Sequence, residues 1–169
     1  RSLGVTFTLR PATAADVPLV LALVRELAAY EREPDAVVAT EADLLRDGFE
    51  GRDAPRFHVL LAERDGAPAG FAFYFFSYST WRGRPVLYLE DLFVRPEHRK
   101  HGVGMALLRR LARIAVDLGC PRFVWEVLDW NEPALRFYES IGAEVMRPWL
   151  NVRLSGEALA RLAEYAPAS

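Results

Sequence analysis

The stretch "LYLEDLFVRPEHRKHGVGMALLRRLARIA", residues 87–115, carries the chain from strand-forming residues through a proline and a basic turn into two glycines and an amphipathic helix. Gly102 and Gly104 mark the seam. The first N–H groups of a helix have no intrahelical partner, and glycine lets a ligand come close to them. An anion placed there is held by those N–H groups and by the positive end of the helix dipole, with Arg99, Lys100 and His101 beside it. A phosphorylated ligand is the expectation. A Walker A loop would need Gly-Lys-Ser/Thr, whereas Gly104 is followed by Met105 and Ala106. A dinucleotide fingerprint would need a third glycine at position 107, which is leucine, and would lie earlier in the chain. The bland alternative is a glycine turn that only joins a strand to a helix.

Working outward, the residues before the seam read as hairpins. Strands are expected over residues 56–64 and 69–79 around the Asp65-Gly66 turn, and over 86–94 after a turn near Gly83. Earlier still, residues 7–13 suggest a first strand ended by Pro11, with Thr13 and Asp16 as a helix cap. Val17, Val20, Leu21, Val24, Leu27 and Ala28 recur at helical spacing. Thr40 and Asp43 repeat the capping logic before a short helix that stops at Gly48. After the seam, a helix over about residues 104–118 leads to a buried strand over 122–128. A helix opened by Pro133 and stopped by Gly142 follows, then a strand over 149–154 and a terminal helix capped by Ser155. The fold class is α/β, with antiparallel hairpins first and βα units afterwards.

Bulk properties fit one domain over 1–169: 169 residues, 51% hydrophobic, suffice for a single core. A formal net charge of −2 without a basic stripe argues against nucleic acid, and no long apolar segment suggests a membrane. The single cysteine, Cys120, excludes an intrachain disulfide and makes a reducing cytoplasm the default. His58, His98 and His101 lack partners at ligand spacing, so no metal is expected.

"RKHGVG" at residues 99–104 fits R/Q-x-x-G-x-G/A, and with "LEDLFV" upstream and "NEPALRFYESIGA" downstream the chain resembles the GNAT family of acetyl-CoA-dependent N-acetyltransferases. "RPATAAD", "ELAAYE", "DLLRDGF" and "LYLEDLFV" resemble its diamine (spermidine/spermine) acetyltransferase branch, close to the thialysine enzymes. The resemblance implies the GNAT fold, a mixed, mostly antiparallel central sheet flanked by helices, and a homodimer. It implies coenzyme A pyrophosphate on Arg99, Lys100, His101, Gly102, Val103, Gly104 and Met105, with the pantetheine arm along the main chain of Leu92, Phe93 and Val94. Asn131, Glu132, Pro133 and Ala134 would line the cofactor's other side.

Amine acetylation needs a neutral amine, a polarised thioester carbonyl and a proton for the leaving thiolate. By resemblance, Tyr138 is the acid and Glu90 attracts the amine and takes its proton; each could instead be an ordinary packed or solvent-facing side chain. Strand alternation turns Asp91 to the other face, in a supporting role. Tyr30 and Glu31, with Val124, Trp125 and Glu126 on the strand opposite, match substrate-side positions and supply the anions and π faces a cation favours.

Two departures bear on substrate. Lys100 stands where the diamine branch has glycine, and the passage after Gly142 is short, with Arg147 where that branch has an acidic pair. The acceptor is therefore a diamine or polyamine, or a thialysine- or lysine-like amino acid. The alternatives are a non-catalytic acyl-CoA-binding sensor and an acetyltransferase for protein or peptide amines.

Overall fold

A computed structural model of the chain describes residues 7–51 and 53–164. The chain forms two compact units, the first ending at Glu126 and the second beginning at Val127.

The first unit is built on a five-stranded sheet in the order β1 (Phe7–Pro11), β2 (His58–Arg64), β3 (Ala67–Ser79), β4 (Arg84–Val94), β5 (Phe123–Trp125). The first four strands pair antiparallel, and β5 joins β4 in parallel after the crossover through α3 (Val103–Asp117). This is the mixed, mostly antiparallel sheet expected. The β2–β3 hairpin turns on Asp65 and Gly66, whose φ angles of 53° and 79° match the primed turn that suits the twist of a strand pair. Pro11 ends β1, two residues short of the expected span, because proline has no N–H to give the ladder.

On one face, α1 (Val17–Tyr30) presents Val20, Leu23 and Leu27 to Phe57, Val59, Leu61, Phe71 and Phe93, all buried, with Leu44 and Phe49 from α2 (Glu41–Gly48) and its C-cap packed against them. Leu23 widens the stripe legible from sequence. The opposite pleat faces α3, whose Leu107 and Leu111 are wholly buried. Removing one such leucine to alanine costs about 2–5 kcal/mol. The Thr40–Asp43 box at the start of α2 is reciprocal: Asp43 N–H donates to Thr40 Oγ1 at 3.2 Å and Thr40 N–H donates to Asp43 Oδ2 at 2.8 Å.

Two sequence expectations fail. The strand expected over residues 122–128 is only Phe123–Trp125, and it is not buried: Val124 is 37% exposed. It ends early because β4 leaves its line at Glu90, so pairing stops at Leu89↔Trp125. In the second unit, helices α4 (Glu132–Ser140) and α5 (Gly156–Ala163) appear, but residues 149–154 form no strand. Leu150 and Val152 are 86% and 91% exposed. Their alternation reads as a strand, yet a strand needs a partner for its N–H and C=O groups, and none pairs with it among the described residues.

Candidate active site

The cofactor half of the site is made mainly of main chain. β4 runs past the end of β5, so on that side the edge over residues 90–94 carries no neighbouring strand among the described residues. Leu92, Phe93 and Val94 lie on this stretch, paired antiparallel with Ala72, Phe71 and Gly70 of β3. Beyond Val94 the chain makes a short turn at Pro96–His98 and enters α3. The first main-chain helical bond of α3 runs from Ala106 N–H to the Gly102 carbonyl at 2.9 Å, which leaves the N–H groups of Val103, Gly104 and Met105 without an intrahelical partner at the helix start. Gly102 sits at φ 82°, a conformation glycine adopts without strain. A Cβ added at Gly104 would touch only Val94 Cγ2, at 3.7 Å, so the absence of a side chain there serves approach rather than packing. These features fit an extended arm on the strand edge and a diphosphate on the helix start.

Lys100 has φ 64°. A residue with a Cβ pays about 1 kcal/mol to hold that conformation, and glycine does not. The departure noted in the sequence is thus a local strain in the turn. Arg99 folds back from the same turn: its Nε donates to the Val94 carbonyl at 3.0 Å, and its guanidinium lies 5.0 Å from the Tyr30 ring and 5.7 Å from the Phe93 ring.

The amine half is made of side chains. Tyr30 ends α1 and Glu31 is its C-cap. On β4, Leu89 pairs with Tyr74 and Asp91 with the preceding residue of β3, Phe73, so Glu90 is an extra residue in a β-bulge. The bulge breaks the alternation on which the opposite placement of Glu90 and Asp91 rested. Asp91 is part-buried, and its carboxyl is pushed up to about 7, first by burial and then by the negative charges of Glu90 and Glu31. Burial also raises Glu31. Among the described residues no cation pairs with Glu31, Glu90 or Asp91. A hydrogen bond from Tyr88 reaches Glu126, just past β5; burial first, then Glu126 and Glu90, push the Tyr88 phenol up to about 12. The Tyr88 ring packs 5.0 Å from Phe75. Tyr88 escaped the sequence reading, and Asp91 was expected only in a supporting role on the opposite face, because the letters of β4 do not reveal the bulge.

Of the remaining expected site residues, Val124 and Trp125 lie on β5. Asn131, Glu132, Pro133, Ala134 and Tyr138 belong to the second unit. There Asn131 Oδ1 accepts from Ala134 N–H at 3.4 Å, which caps α4, Pro133 sits in the first turn, and Tyr138 is part-buried beside Phe137 at 5.6 Å between rings. Among the described residues no three His, Cys, Asp or Glu side chains gather closely enough to hold a metal ion, and no helix is long and apolar enough to cross a membrane.

A strand edge left open beside a helix start, reached through a mixed sheet, is the architecture of an acyltransferase. Residues 21–143 match the model of the acetyltransferase (GNAT) family, and the chain belongs to that family. It is an acetyltransferase. Over 166 residues it is 40% identical to thialysine N-epsilon-acetyltransferase of Bos taurus, an alignment covering 92% of this chain and 96% of that one. It is 42% identical over 144 residues to spermidine/spermine N(1)-acetyltransferase-like protein 1 of Homo sapiens, covering 81% of this chain and 20% of that protein. An integron cassette protein from the mobile metagenome of V. cholerae has a similar solved structure, with a TM-score of 0.79 and 28% identity over 96% of this chain and all 100% of that one.

Proposed function

We propose that the chain, acting as one N-acetyltransferase domain, moves the acetyl group of acetyl-CoA directly to a primary amine of a small cationic molecule: a diamine or polyamine, or a thialysine- or lysine-like amino acid. The observation that carries the reading is the set of carboxylates Glu31, Glu90 and Asp91: the charges of the first two act on Asp91, and among the described residues none of the three has a cationic partner. Like charges held together are costly, and a bound ammonium relieves the cost. The thialysine and spermidine/spermine relatives support the same substrate class.

Acetyl-CoA supplies the activated thioester. The N–H groups of Val103, Gly104 and Met105 hold its diphosphate, and Leu92, Phe93 and Val94 align the arm. Tyr30, Glu31, Glu90 and Glu126 receive the ammonium, with Val124 and Trp125 as the β5 wall. A carboxylate whose acidity lies near neutrality suits proton removal at ordinary pH, so the Glu90–Asp91 pair takes the amine proton and Asp91 tunes where that happens. The neutral nitrogen then forms the N–C bond as the C–S bond breaks, and Tyr138 gives its proton to the thiolate. By the family resemblance Asn131 to Ala134 also serve the cofactor, Asn131 by fixing the start of α4.

Thiol release from acetyl-CoA, measured with diamines, polyamines, lysine analogues and a lysine peptide, tests the reading. Amine-dependent release with small cations supports it. Tight acetyl-CoA binding with no release for any amine would make the chain an acyl-CoA-binding sensor, and release with the peptide alone would make it a protein acetyltransferase. We place the enzyme in the cytoplasm and as a homodimer. The exposed Leu150 and Val152 support self-association, and Leu150→Asp should shift a dimer to monomer by sedimentation velocity.

A further inference from the structure

The site's two halves meet at one side chain. Arg99 stands in the cofactor turn, yet its guanidinium lies 5.0 Å from the ring of Tyr30, the last residue of α1, and 5.7 Å from that of Phe93 on β4. Its Nε is fixed on the Val94 carbonyl at 3.0 Å, where the open strand edge ends. A planar guanidinium within cation–π distance of two aromatic rings, with one donor already directed, loses little freedom when a further anion binds it. Glu31, whose charge reaches Asp91, is the next residue after Tyr30.

We propose that Arg99 is a positioning residue shared by both substrates: clamped on Tyr30, Phe93 and the Val94 carbonyl, it ties the end of α1 to the cofactor turn, so that coenzyme A and amine each strengthen the other's binding. The proposal rests on the acetyl-transfer reading for the identity of the two ligands. A diphosphate on the turn engages an arginine already held in place, and Arg99 in turn holds Tyr30 and Glu31 where the ammonium arrives. Linkage makes the effect reciprocal.

The test is a double-mutant cycle read by calorimetry of coenzyme A binding, supported by thermal melts. Tyr30→Leu, a change on a helix remote in sequence from the turn, should weaken coenzyme A about threefold, the size of an exposed cation–π contact. Tyr30→Phe keeps the ring and should bind coenzyme A more tightly than Tyr30→Leu. Arg99→Ala should weaken coenzyme A further, and Arg99→Ala with Tyr30→Leu should be no worse than Arg99→Ala alone. In the same series, coenzyme A should tighten binding of 1,4-diaminobutane to the wild type about threefold, and Arg99→Ala should abolish that gain. Unchanged coenzyme A affinity in Tyr30→Leu, or additive losses in the double variant, would overturn the proposal. Failure of the acetyl-transfer reading shows separately, as wild-type protein that binds coenzyme A but releases no thiol with any amine.

Discussion

The cofactor half and the amine half of the site are built from different material. The first uses an open strand edge and the free N–H groups at the start of α3, with glycines at 102 and 104. The second uses carboxylates and rings whose placement depends on a bulge in β4. Main-chain groups present the same donors whatever the side chains, so that half should tolerate substitution that preserves backbone conformation. The side-chain half should be sensitive to single atoms, and the proposal assigns substrate choice to it.

The largest expected effect comes from a single oxygen. Tyr138→Phe should lower turnover about a hundredfold, the usual contribution of a positioned acid, while leaving coenzyme A affinity unchanged by calorimetry. Equal losses in both would mean that Tyr138 serves binding instead.

Next in size is Asp91→Asn, which should lower kcat/KM about tenfold and remove the rise of rate with pH near 7. It should also stabilise the fold. The folded carboxyl at about 7 lies above its unfolded value of about 3.9, so the folded state binds more protons between these values and stability falls as pH rises across that window. Thermal melts of Asp91→Asn should therefore gain more over wild type at pH 8 than at pH 4. A gain independent of pH would remove the charge argument.

The smallest effect belongs to the main-chain half. Lys100→Gly should raise stability by about 1 kcal/mol in denaturant unfolding, because it relieves a φ of 64°. Coenzyme A affinity should fall less than threefold if the turn's N–H groups carry the binding. A larger loss would transfer that role to the Lys100 ammonium.

What the letters revealed follows the same division. The seam at 99–105 was readable because glycines and a following amphipathic helix have local causes, and the Asp65-Gly66 hairpin likewise. Lys100 was readable as a departure, though its positive φ was not. "LYLEDLFV" reads as one strand, and its letters alone do not mark Glu90 as an inserted residue; the bulge is set by pairing with β3, a long-range matter. "WLNVRL" has a strand's alternation but finds no partner strand among the described residues, so pattern without pairing misled there.

The central claim is that the carboxylates recruit the amine while the main chain holds the cofactor. Glu31→Gln with Asp91→Asn in one chain tests it most directly, by measuring the amine KM at saturating acetyl-CoA alongside the coenzyme A dissociation constant. The account predicts an amine KM raised about tenfold or more with coenzyme A binding within twofold of wild type. An unchanged amine KM, or a parallel loss of coenzyme A affinity, would contradict it.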